Sequence, residues 1–373
     1  MTKCFHNGWV FFVLVFSLHA QPFDHISISG TRGAILEHTK KLSHLIEKRP
    51  TFFEMAISKS TNGSQLWHHE NQFPDYGFLF NYQNFGNPNK LGSAWSFATF
   101  FDLNLHAPKK TINSKIRFAG GFSYLTKRFD LHENHKHIAL SSHINIFVAL
   151  RTSLFIRLNS HFYLIPNLQF SHVSNGRFKV PNLGINTVYP NVSLQYRFKE
   201  KEKKTVSDSS YQKTSPKEIF AWFSFGRNQE YPPGGKSFSN YTISGNYFFN
   251  LKNRHQVGLG FDVYYEPSLN IRTQNVENVT RYYFRNGFCG GIKCAYSFNY
   301  GRWVLPIEYG YYLFSGVNQF PNGRHFHRIG LRYYHKKNWV SSFTLKSHFA
   351  VAYHFDLGIG YRIPIKKSKY FVK

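Results

Sequence analysis

His143-Ile-Asn-Ile-Phe-Val-Ala-Leu-Arg-Thr-Ser-Leu-Phe-Ile-Arg-Leu158 is the stretch from which the fold is read. Its even positions are Ile144, Ile146, Val148, Leu150, Thr152, Leu154, Ile156 and Leu158. Its odd positions alternate His143, Asn145, Arg151, Ser153 and Arg157 with Phe147, Ala149 and Phe155. Successive side chains of a strand point to opposite faces, so this run has one almost purely aliphatic face and one mixed, polar face. It is far longer than the usual strand of about 5–6 residues.

The same alternation recurs outward from there in both directions. It marks 255–265, 355–363 and twelve further runs: 52–60, 73–83, 90–106, 113–126, 160–174, 184–198, 217–228, 238–251, 282–300, 301–316, 324–335 and 338–348. Helical periodicity is scarce, and turn residues such as Asn250-Leu-Lys-Asn253 and Asn299-Tyr-Gly301 separate the runs. Long strands with a continuous apolar face predict an all-β protein, a transmembrane antiparallel β-barrel of the outer-membrane type. About fifteen runs and an even-number rule predict a barrel of about 14 strands, within a range of 12–16.

Composition agrees with this reading. The 373 residues include 40 Phe, 24 Tyr and 6 Trp, a surplus that suits two interfacial aromatic girdles. The mean hydropathy is nonetheless negative, as strands with a polar inner face require. A net charge of +27 points to a phosphate-bearing partner. No folded nucleic-acid motif accompanies that charge, so the expected partner is an anionic membrane surface. Three cysteines exclude a disulfide scaffold, and Cys289 and Cys294 are read as unpaired, with a bulge at Gly290-Gly291 able to change their phase.

The expected organisation begins with an export signal over residues 1–20, with Lys3 ahead of the apolar run Trp9 to Leu18, about half the length of a spanning helix. An N-terminal segment, 21–50, follows as a plug or short helix, with Leu42, Leu45 and Ile46 at helical spacing. The barrel is expected over 51–364, interrupted by a charged, Ser-rich loop at 199–216, with a basic tail at 365–373. The expected location is therefore the cell outer membrane.

Chemistry enters on one hairpin. If the even face meets lipid, His172 and Ser174 on one strand and Asn186 on the next point outward together. Polar groups there are costly unless paired. One reading is a nucleophile, base and orienter: Ser174, His172 and Asn186. The other places them at the membrane–water boundary, where polar residues are ordinary. The cluster His132-Glu-Asn-His135-Lys-His137 has the density of a metal site but reads as a solvated turn.

His172-Val-Ser174-Asn175-Gly176, followed by Pro181-Asn182-Leu-Gly184-Ile-Asn186, resembles the active-site signature of the lipid A 3-O-deacylase (acyloxyacyl hydrolase) family. Gly86 to Gly92, Asp130 to Asn134, Ser142 to Asn145 and Lys346-Ser-His348 are similar to its longer exported members. The resemblance implies an outer-membrane barrel that cleaves an ester-linked acyl chain from lipid A with an outward Ser-His-Glu triad. It implies Ser174 and His172 as catalytic residues, with Asn175 and the Gly176 backbone as the oxyanion hole, and neither metal nor cofactor. Asn186 stands where the family has glutamate. An amide accepts from imidazole but cannot stabilise imidazolium by charge, so the enzyme is expected to be slow unless Asp130 or Glu133 substitutes. The alternative is a non-enzymatic barrel: a lipid-binding pseudoenzyme, or a porin-like channel with Arg151, Arg157 and Arg197 in its lumen.

Overall fold

A computed structural model describes residues 23–106, 111–198, 217–252, 254–270, 284–317, 323–349 and 351–365. The expected export signal, the 199–216 loop and all but the first residue of the basic tail lie outside them. Seventeen strands make up nearly all of the described structure. The first nine are β1 (His25–Arg32), β2 (Ala34–Ile35), β3 (Thr51–Ser60), β4 (Asp75–Asn84), β5 (Ser93–Asn104), β6 (Ile112–Leu125), β7 (Ile144–Arg157), β8 (Phe162–Ser174) and β9 (Ile185–Arg197). After 199–216 come β10 (Lys217–Gln229), β11 (Ser237–Lys252), β12 (His255–Tyr265), β13 (Phe288–Tyr300), β14 (Trp303–Ser315), β15 (His325–Tyr334), β16 (Trp339–His348) and β17 (Val351–Ile365).

These strands form two closed antiparallel barrels rather than one. In the first, β3 to β9 pair in sequence and β1 closes the ring by pairing both β3 and β9. The two-residue β2 adds to the outer end of β9. In the second, β10 to β17 pair in sequence and β17 returns to β10. The barrel class stands and seventeen is near the expected strand number, but the single barrel over 51–364 is corrected to two rings. The alternating runs coincide with β3 to β17. His25-Ile-Ser-Ile-Ser-Gly-Thr-Arg32, placed by the sequence in a plug, is instead the closing strand of ring one. A period of two tells which residues are strand; it does not tell which strand closes a ring.

The alternation is realised as drawn. Along β7, Val148, Leu150 and Leu154 are exposed, while Phe147, Arg151 and Phe155 are buried. The outward set of both barrels is an apolar belt, and the inward set fills the lumen. In the first lumen Glu54 is shared by Arg117 and Arg151, and Arg117 grips Asp102 through two bonds of 2.7 Å. In the second, Lys293 lies 2.7 Å from Asp262 and 2.9 Å from Glu308, whose other oxygen accepts from Arg332 at 2.6 Å. Buried charges persist only when paired in this way. Cys289 and Cys294 are unpaired, one buried and one exposed, and the register shifts between Gly290 and Gly291.

Each barrel has a foot, where β1 begins and β17 ends, and an opposite rim. Connections 158–161, 301–302 and 335–338 at the foot are short and 61–74 there is longer; 33–50 and 126–143 at the rim are the longest of the first barrel. The rim of the first barrel is plugged by an apolar cluster of Leu42, Leu45, Phe85, Leu91, Leu140 and Phe147. Leu42 and Leu45 come from a 3-10 helix at Lys40–Leu45.

Candidate active site on the outer rim of the first barrel

The register of β8 on β9 sets the site. His172 is directly opposite Asn186, and both belong to the outward phase that below them carries Phe170, Leu168 and Val192. Close cross-strand pairs put Cβ atoms about 4.5–5.5 Å apart, which lets the two side chains meet. They do: His172 Nδ1 lies 2.6 Å from Asn186 Oδ1. An oxygen can only accept, so the imidazole carries its proton on Nδ1 and keeps Nε2 as a basic nitrogen.

Ser174 shares the phase of His172, two residues on, and is largely buried at the strand end. Among the described residues no hydrogen bond joins its hydroxyl to the imidazole. Catalytic hydrogen bonds of unliganded enzymes are often long and tighten only with substrate. Gly184, from the turn leading into β9, packs on the other side of the ring. A Cβ there would come within 2.6 Å of His172 Cε1, and the backbone has φ +79°. Glycine is therefore required twice over, for the conformation and for the close approach.

Asn175 has a different environment from the one expected. Its backbone N–H donates to Asn182 Oδ1 at 2.9 Å, and its side-chain amide donates to Ser142 Oγ at 2.9 Å and Ser141 Oγ at 3.3 Å. These bonds tie the Ser174 turn to the long 126–143 connection. Asp130 is occupied as a cap, accepting from the N–H groups of His132 and Glu133. His137 is buried in the same connection, where burial pushes its pKa down to about 4.

Three contributors to the site's surroundings carry no local sequence signal. His38 stands 3.1 Å from Asn186 Nδ2 through its Nδ1. It is brought there by β2, which pairs Ala34 with Val188 and Ile35 with Thr187, and by Leu36 N–H donating to Asn186 O at 2.8 Å. Gly33 makes the preceding turn possible, since a Cβ would lie 2.1 Å from Val188 O. The second barrel supplies the other two, the adjacent pair Gln229 and Glu230 and the ring of Phe355. Gln229 donates its N–H to Arg177 O at 3.0 Å and accepts from Val180 N–H at 2.9 Å, while Glu230 pairs with Arg177 at 2.6 Å. The Phe355 ring covers Gly176, so closely that a Cβ would meet it at 2.2 Å.

Comparison with known proteins separates the chain at the same place as the barrels. Residues 52–196 match the family model described as lipid A 3-O-deacylase (PagL), and 217–367 match the acyloxyacyl hydrolase C-terminal domain. No curated protein matches the chain. Among solved structures, the outer membrane enzyme PagL aligns over 46% of this chain and 97% of its own, at 15% identity and a TM-score of 0.33. The KdgM porin in complex with disordered oligogalacturonate aligns over 72% and 93%, at 9% identity and a TM-score of 0.18. A mutant of the Rh. blastica porin aligns over 92% and 99%, at 9% identity and a TM-score of 0.17. With one barrel matched by each of two models that flank the inter-barrel connection, the chain belongs to the lipid A 3-O-deacylase and acyloxyacyl hydrolase family.

Proposed function

We propose that the protein is an outer-membrane esterase that removes an ester-linked acyl chain from lipid A, with Ser174 as nucleophile. The observation that carries this reading is the His172–Asn186 hydrogen bond on the outward face of the rim, beside Ser174. Outer-membrane barrels keep short turns on the periplasmic side and long loops outside, so the rim faces the outer leaflet, where lipid A resides. An acyl chain would lie along the apolar belt of Leu168 and Phe170, with its ester at the height of His172.

His172 Nε2 removes the Ser174 proton as Oγ attacks the ester carbonyl, giving a tetrahedral intermediate. With the Asn175 N–H donating to Asn182, the Gly176 N–H is the next backbone donor in sequence for its oxyanion. Collapse breaks the bond to the sugar oxygen, which leaves with the proton from imidazolium, and Ser174 holds the acyl group. Water, deprotonated by the same nitrogen, attacks the acyl carbonyl; the bond to Oγ breaks, Ser174 takes back the proton from imidazolium and the fatty acid leaves. Asn186 holds the tautomer and ring plane but adds no charge, which makes proton transfer the weak step. The steps use no metal or cofactor.

The porin-like alternative is disfavoured by the lumens, since Lys293, Glu308, Arg328 and Asp356 are fully buried in mutual contact. Purified protein incubated with lipid A and read by mass spectrometry tests the reading. Loss of one hydroxyacyl mass, absent with Ser174→Ala, supports it. Unchanged lipid A with ion conductance in planar bilayers overturns it.

A further inference from the structure

We propose that His38 is a positioning residue of this site, acting through the Asn186 amide. The inference rests on the esterase reading and explains how an amide serves where a carboxylate is expected. A carboxylate presents an acceptor whichever oxygen faces the imidazole. An amide has one accepting end and one donating end, so its function depends on which way it is turned.

With Oδ1 toward His172, the imidazole must carry its proton on Nδ1, and Nε2 is free to act as base. Turned over, Nδ2 donates to Nδ1, the imidazole proton moves to Nε2, and the ring cannot accept from Ser174. The donor end of Asn186 meets His38 Nδ1 at 3.1 Å, and the acceptor end meets His172 Nδ1 at 2.6 Å. Because Asn186 Nδ2 can only donate, His38 accepts on Nδ1, and its exposure leaves Nε2 facing solvent. An acceptor at position 38 thus selects the competent orientation. The backbone bond from Leu36 to Asn186 and the β2–β9 pairing fix the distance.

The test inverts the polarity of position 38. In His38→Lys the ammonium only donates; it takes Asn186 Oδ1 and turns Nδ2 onto His172. A charge-assisted bond of this kind is worth about 1.5–3 kcal/mol, equivalent to roughly 10- to 150-fold in orientation. The kcat for lipid A deacylation should fall by about that factor with little change in KM. His38→Gln, which retains an acceptor, should stay within about threefold of wild type, and His38→Ala, which frees the amide, should lose about twofold. In an Asn186→Asp background, where both ends accept, the penalty of His38→Lys should shrink at least tenfold.

An equal penalty in both backgrounds, or none in the wild-type background, overturns the proposal. Imidazole 15N shifts of His172 separate it from the esterase reading. They should report the Nδ1–H tautomer in wild type and Nε2–H in His38→Lys, whether or not lipid A is turned over. The same tautomer in both would sink the role of His38 even in an active enzyme.

Discussion

Each barrel closes as a ring of eight strands with an apolar outer belt and a lumen held by ion pairs, yet their rims are built differently. On the first, the outward phase ends in His172, Ser174 and Asn186, of which His172 and Asn186 are joined by a side-chain hydrogen bond beside a glycine turn. On the second, the outward histidines are absorbed into an aromatic layer. His325 Nδ1 is 2.6 Å from the Tyr309 hydroxyl, and Phe349 lies over both His325 and His327 at 6.1 and 5.6 Å. A histidine facing lipid is thus not itself a functional sign. What distinguishes the first rim is a directed acceptor on Nδ1 with a hydroxyl two residues away.

That contrast can be broken most forcefully at Asn186. Asn186→Asp supplies the missing charge, and deacylation should rise by up to about 10⁴-fold, the amount an acid-to-amide change costs in a serine triad. A rate that falls instead would show that the amide is not standing in for an acid. In the second barrel the largest effect should come from the lumen. Glu308→Ala strands Arg332 and leaves Lys293 with Asp262 alone, and the stability of the folded barrel, followed by heat-dependent gel mobility, should drop by about 3–5 kcal/mol.

A smaller effect should come from the seam where the barrels meet. Gln229→Ala removes the acceptor of the buried Val180 N–H, worth about 1–3 kcal/mol locally. Deacylation should fall by about tenfold, with folding of both barrels retained by the same gel assay. An unchanged rate would mean that the second barrel does not steady the 175–184 turn.

Much of this was legible in the sequence because burial alternates with strand phase. The runs at 52–60 to 355–363 coincide with strands, and the phase of 160–174 and 184–198 put His172 and Asn186 on the same face. The division into two rings was not legible, since closure of β1 on β9 joins residues far apart in the chain, such as His25 and Arg197. At eight residues β1 is also shorter than any of β3 to β17, so it leaves a weaker pattern. His38 was hidden for the same reason. Its contact with Asn186 spans 148 positions and depends on a two-residue strand that leaves almost no pattern. The resemblance implies an oxyanion role for Asn175, while its bonds to Ser141, Ser142 and Asn182 join residues that converge only once the rim is folded.

The central claim is that His172 activates Ser174 on the outer face of the first barrel. Labelling the folded protein with an alkyl phosphonate of lipid-like chain length, then mapping the modified peptide by mass spectrometry, tests it most directly. The account predicts a single adduct on Ser174 that is lost in His172→Ala, while His325→Ala leaves it intact. No adduct on Ser174, or one that forms equally well without His172, would contradict it.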